Sequence, residues 1–251
     1  MNQPIPGAEP WSAAGGPLGV LVLHGFTGNP QSMRSLAEAF AAAGYTVELP
    51  LLHGHGTRLQ DMIPTRWSDW SVGAESAYNA LAARCEHVVV AGLSMGGTLT
   101  VWLATRHPEI AGIVCVNPLI DGHAPVVSAT VETARASSEE VFPAIGSDIA
   151  LEGVVEDAYP GTPVQALISL VDATRDLQPD LAEVRCPVLI LTSVEDHVVE
   201  TVSSDLLAAS VSGPVSRVSL ERSFHVATLD HDAELIQQRA VDFVRHLNGA
   251  V

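Results

Sequence analysis

Six short apolar runs, separated by segments of helical periodicity, constrain this chain more than any other feature. They lie at residues 20–23, 46–49, 88–91, 112–116, 188–192 and 215–220, are rich in Val, Ile and Leu, and are bounded by Gly, Pro or polar residues. A strand wet on one face alternates apolar with polar residues. A run apolar throughout buries both faces, as strands do in a parallel sheet covered by helices. Between the runs, residues 32–43, 67–84, 95–106, 202–211 and 233–247 read as helices. In the last of these Leu235, Ile236, Ala240, Val241, Val244 and Leu247 recur at helical spacing and are expected to face the sheet. Strand–helix alternation of this kind predicts an α/β fold with a mostly parallel, doubly wound sheet.

One stretch breaks the alternation. From 119 to 185 no clean strand–helix unit is visible, only pieces interrupted by Pro and Gly such as "VFP" and "AYPGTP". An insertion of this length inside a regular sheet is usually a lid over a site, and otherwise a decorated loop. The expected organisation is a core from 1–118 and 186–251, with residues 119–185 as a cap. A chain of 251 residues is long enough to bury a core of this kind.

Charge removes several function classes. There are 29 acids against 12 bases, for a formal charge of −17, and such a surface repels phosphate backbones and anionic membranes. No nucleic-acid partner is expected. All 12 bases are arginine, so Schiff-base chemistry, a P-loop lysine and a Ser–Lys dyad are excluded. The opening "MNQPIPGAEPWSAAGGP" has neither a basic start nor an apolar core, and no apolar run approaches membrane-spanning length. Cys85, Cys115 and Cys186 are scattered and form no C-x-x-C. These features predict a cytoplasmic protein without stable membrane insertion. They leave its oligomeric state open.

"AGLSMGG", residues 91–97, holds a G-x-S-x-G. The pattern is too common by chance to decide anything alone, but here it falls between a predicted strand and a predicted helix. There, glycines at 92 and 96 allow strand and helix to approach closely and force Ser94 into a strained turn at the carboxyl edge of the sheet. A serine needs a base, and His225 in "ERSFHVATLD" follows the last predicted strand, again at that edge. "LTSVEDHVVE" follows the preceding strand and offers the acid that would orient the imidazole. Asp196 is favoured, with Val198 and Val199 to anchor its loop; Glu195 is the alternative. The order Ser, Asp, His is that of α/β-hydrolases. Oxyanion donors are expected from the backbone N–H of Met95, after the serine, and of Phe26 in "LHGFTGNP", with His24 bracing that loop. "LLHGHGTRLQD" contains an H-x-H, but the flanking glycines favour a turn over a zinc site. Trp67 and Trp70 read as packing residues at a helix start.

Together "VLVLHGFTGNPQSM", "HGHGT", "WSDW", "VVVAGLSMGG", "VEDHVV" and "SFHVATLD" resemble the bacterial monoacylglycerol lipases and related small bacterial carboxylesterases of the α/β-hydrolase superfamily. The resemblance spans nearly the whole chain. It implies a triad of Ser94, Asp196 and His225, oxyanion donors at Phe26 and Met95, and no metal or organic cofactor. It also implies a small cap in which Ile145 and Glu156 contact the glycerol end of a monoacylglycerol. An alternative function is a short-chain carboxylesterase or thioesterase without glycerol preference. A receptor or scaffold built on the same fold is a rival from another class. The chain departs from the family where Glu200 and Thr201 follow "DHVV", a place the family often fills with proline.

Overall fold

The computed structural model describes residues 2–144 and 147–248. Its centre is a seven-stranded sheet in the order β1-β3-β2-β4-β5-β8-β9. The strands are β1 (Trp11–Ala13), β2 (Leu18–Leu23), β3 (Thr46–Leu49), β4 (His87–Leu93), β5 (Gly112–Val116), β8 (Val188–Ser193) and β9 (Val215–Leu220). All neighbouring pairs are parallel except β1 with β3. This is the doubly wound α/β sheet expected from the alternation.

The apolar runs bury both faces because successive side chains point to opposite sides of a strand. Leu21, Leu23, Val88, Val90, Ile113, Cys115, Val188 and Ile190 share one core layer. On that side it packs against α3 (Trp67–Ala82), α4 (Met95–Arg106) and α7 (Val202–Ser210). Val20, Val22, Val89, Ala91, Val114, Val116, Leu189 and Leu191 form the other layer, under α1 (Arg34–Ala42) and α8 (Ala233–Asn248). In α8, Ile236, Ala240 and Val244 are fully buried, while Leu235, Val241 and Leu247 flank them. A short α2 (Leu59–Met62) lies in the connection after β3.

Two features depart from the sequence reading. Strand β1 was not expected, because three residues carry no readable period; pairing of Trp11 with Leu49 and stacking of the Arg34 guanidinium 5.2 Å from the Trp11 ring hold it at the edge. The segment between β5 and β8 is also more regular than its prolines suggest. It contains α5 (Pro125–Ala136), a small antiparallel pair β6 (Val141–Pro143) and β7 (Gly161–Pro163), and α6 (Val164–Leu177). Pro125 occupies the first turn of α5, where a missing N–H breaks no helical bond, and Pro163 is the N-cap of α6. These prolines start helices. Among the described residues no helix is long and apolar enough to cross a membrane.

Candidate active site

Ser94 stands where β4 gives way to α4, with φ 56° and ψ −117°. A non-glycine residue there carries strain of about 1–3 kcal/mol, and the surroundings must impose it. The Ser94 N–H donates to the Val116 carbonyl at 3.0 Å, and the Ser94 carbonyl accepts the Thr98 N–H at 3.1 Å. A Cβ on Gly92 would lie 2.1 Å from the Gly96 carbonyl oxygen, and one on Gly96 would lie 2.1 Å from that of Leu23. Both positions therefore exclude any side chain, and the crossing of strand, turn and helix depends on them.

The loop after β2 runs over this turn. A Cβ on Gly25 would come 3.6 Å from the Ser94 Cβ, so the Phe26 peptide follows directly beside the serine. Met95 opens α4, and its N–H is among those a helix leaves without an internal partner. His24 is fully buried and bridges two chain segments: its Nδ1 donates to the Gly25 carbonyl at 3.0 Å, and its Nε2 accepts the Leu52 N–H at 3.1 Å. One neutral tautomer satisfies both bonds. Burial pushes its pKa down to about 4, against a smaller opposing effect of the Gly25 hydrogen bond. His55 packs edge-on against His24, Phe26 and Trp70, its Nδ1 donating to the His53 carbonyl at 3.0 Å. The H-x-H thus folds as a turn whose second histidine supports the loop. The Trp70 indole N–H donates to the His53 carbonyl at 3.2 Å.

On the far side Asp196 and His225 meet. Asp196 Oδ1 accepts the N–H groups of Val198 (2.9 Å) and Val199 (2.7 Å), and its Oδ2 accepts His225 Nδ1–H at 2.7 Å. The two valines anchor the acid through their backbones. Both side chains of the pair are nearly inaccessible, at 8% for His225 and 2% for Asp196, whereas Glu195 is exposed. Burial lowers the His225 pKa, but the charge and hydrogen bond of Asp196, then the charges of Glu156 and Asp148, outweigh it and hold it above the ordinary value. With its proton on Nδ1, the ring presents Nε2 as an acceptor. Among the described residues no hydrogen bond joins the Ser94 hydroxyl to this ring, and such contacts are often loose before substrate binds.

Ser94 opens onto a cavity of about 180 Å³ whose walls are chiefly Phe26, Leu119, valines of α5, aliphatic residues of α6 and Val198–Val199. Glu156, between β6 and β7, packs against Gly28 in the loop after β2. The residue is half-buried, but its carboxyl turns inward, so a Cβ on Gly28 would lie 2.6 Å from Oε1. Burial raises its pKa to about 7, opposed by the positive charge of His225 and the Ser32 hydroxyl. Ile145 lies outside the described residues.

Three supports escaped the sequence reading. Asn117, at the end of β5 with φ 43°, donates from Nδ2 to the His225 carbonyl at 2.8 Å and to Ser193 Oγ at 2.9 Å, while its Oδ1 accepts the Ser193 N–H at 2.7 Å. Asp230 accepts four backbone N–H groups, from Ala150, Leu151, Phe224 and His231. Glu200 accepts the Val126 N–H at 3.0 Å and so secures the start of α5. The one sequence signal for Asn117 is its type, since Asn tolerates positive φ better than most residues.

A parallel sheet with a strained serine turn at its carboxyl edge, and an Asp–His pair after later strands, defines an α/β-hydrolase. The hydrolase family described as Hydrolase_4, serine aminopeptidase S33, matches residues 18–232. The chain is 45% identical over 247 residues to a thermostable monoacylglycerol lipase from Bacillus sp. (strain H-257), covering 97% of this chain and 98% of that one. It is 28% identical to a carboxylesterase from Bacillus subtilis (strain 168), over 96% of this chain and 97% of the relative. A solved structure described under LipS and LipT, two metagenome-derived lipolytic enzymes, superimposes with a TM-score of 0.92 at 45% identity, covering 97% of this chain and 100% of that one. The chain belongs to the Hydrolase_4 family, among its monoacylglycerol lipases and esterases.

Proposed function

We propose that the protein is a serine ester hydrolase that cleaves monoacylglycerols to glycerol and fatty acid, with residues 119–185 acting as its cap. The observation that carries this reading is the apolar cavity beside Ser94, lined along α5 and α6; the Glu156 carboxyl, whose charge acts on His225, supplies a second, polar part. An acyl chain suits the first part. A carboxylate accepts hydrogen bonds from two hydroxyls, which suits glycerol at the second. The relative that is 45% identical is named a monoacylglycerol lipase.

In this reading His225 Nε2 takes the proton of the Ser94 hydroxyl as its oxygen attacks the ester carbonyl. The Phe26 and Met95 N–H groups stabilise the oxyanion, a contribution of about 2.7–4 kcal/mol for each donor. Asp196 keeps the ring in its Nδ1–H form and stabilises the imidazolium. The glycerol oxygen then takes the proton from His225 and leaves. Water, activated by the same ring, attacks the acyl-enzyme, and the fatty acid departs from Ser94. Proton, nucleophile and oxyanion donors all come from the chain, so these steps call for no cofactor.

Hydrolysis rates on mono-, di- and triacylglycerols of one acyl length test the substrate. Preference for the monoester, lost selectively in Glu156→Ala, is the expected result. Equal rates on glycerol esters and simple alkyl esters would instead favour a short-chain carboxylesterase, which the modest cavity volume also suits.

A further inference from the structure

The two catalytic loops share one support from the cap that the reaction does not itself use. Asp148 lies between β6 and β7, its side chain 15% exposed. Oδ2 accepts the backbone N–H of His225 at 3.0 Å and that of His197 at 3.1 Å. Oδ1 meets the Nδ1 of His197 at 2.8 Å, and the Asp148 carbonyl accepts the Val226 N–H at 3.0 Å. One residue thus ties the cap to the loop after β8, which carries Asp196, and to the loop after β9, which carries His225. Three donors converge on two oxygens, an arrangement suited to an acceptor-only side chain.

The opposite face of His225 is held from the core. Its carbonyl accepts the Asn117 amide, so both peptide groups flanking the imidazole are fixed by side chains, one from each part of the protein. Asp230 extends the connection by joining Ala150 and Leu151 of the cap to Phe224 and His231 of the His225 loop. The Asp196 bond fixes where the ring's Nδ1 points; it leaves the peptide that carries the ring to be fixed by other groups.

We infer that Asp148 is a positioning residue: it sets the register of the cap against the Asp196–His225 pair, so that His225 keeps its productive orientation only while the cap is docked. The inference rests on His225 being the base. Asp148, Asp196 and Glu156 are the carboxylates whose charges act on that ring, and His197 is the other titratable group bound to Asp148.

The test compares Asp148→Ala, Asp148→Asn and His225→Ala on a short-chain p-nitrophenyl ester, with kcat, KM and the pH profile measured for each. Misplacing the base by about an ångström should lower kcat of Asp148→Ala ten- to a hundredfold, with KM within about twofold. The Asn carbonyl oxygen can still accept both N–H groups, so Asp148→Asn should recover most of kcat. Losing one negative charge lowers the His225 pKa, so the acid limb of its profile should move to lower pH. Wild-type kcat in Asp148→Ala, or equal impairment of both variants, overturns the inference. If Asp148→Ala does not fold, Asp148→Asn decides: near-wild-type kcat with a shifted limb supports the inference, and loss of kcat with an unshifted limb overturns it. His225→Ala separates the two levels. Turnover that survives in it sinks the assignment of the base; turnover lost there but intact in Asp148→Ala sinks this inference alone.

Discussion

The two walls of the cavity are built on different principles. The sheet-edge wall, comprising the Ser94 turn and the loop after β2, is dictated by backbone sterics: Gly92 and Gly96 leave no room for a single carbon atom, and His24 joins Gly25 to Leu52. The opposite wall is made of interchangeable aliphatic side chains on α5 and α6. The first wall leaves little freedom to vary and is suited to the chemistry. The second can change its lining without disturbing the first, and is where selectivity would be set.

Substitutions on each wall break or sharpen this contrast. Ser94→Ala should abolish turnover, with a fall of about 10⁴-fold or more, and leave the melting temperature nearly unchanged. Covalent labelling by a fluorophosphonate should disappear with it. Asp196→Asn should cost about 10³- to 10⁴-fold in kcat, since an amide no longer enforces the Nδ1–H tautomer. Glu156→Gln should act selectively, lowering kcat/KM for monoacylglycerol by about tenfold while sparing p-nitrophenyl esters, as for one lost charged hydrogen bond. It should also shift the acid limb. The Glu156 carboxylate raises the His225 pKa, and removing its charge lets that pKa fall, so activity persists to lower pH. Smaller still in activity, Leu170→Ala should change acyl-length preference only a few-fold, while destabilising the protein by about 2–5 kcal/mol in denaturant unfolding. A Leu170→Ala variant as inactive as Ser94→Ala would show that the walls are not separable.

The residues at the carboxyl edge of the sheet were also the legible ones. Ser94, Asp196 and His225 each follow a strand with a strong apolar signature, so topology alone brings their loops to one edge. Asn117, Asp148 and Asp230 were not legible, because their roles lie in partners far away in sequence. Asn117 binds groups 76 and 108 residues on, and Asp148 one 77 residues on. Nothing local distinguishes such an aspartate from 28 other acids. The helices between β5 and β8 were obscured by Pro125 and Pro163, which read as interruptions in one dimension and are helix starts in three. Glu156 stands out only through the family resemblance, since no local pattern marks its carboxyl as buried.

The neutral His24 has a consequence for how the protein meets acid. With a pKa of about 4 and both ring nitrogens engaged, it keeps the same form down to about pH 5, and the loop it braces keeps the same shape. Proton concentration is therefore registered by His225 and Glu156, while His24 and the turn it braces keep one form. On the proposed mechanism, a moderately acidified enzyme should lose its base before it loses its oxyanion hole, so an inhibitor that relies only on the hole should still bind where catalysis has stopped.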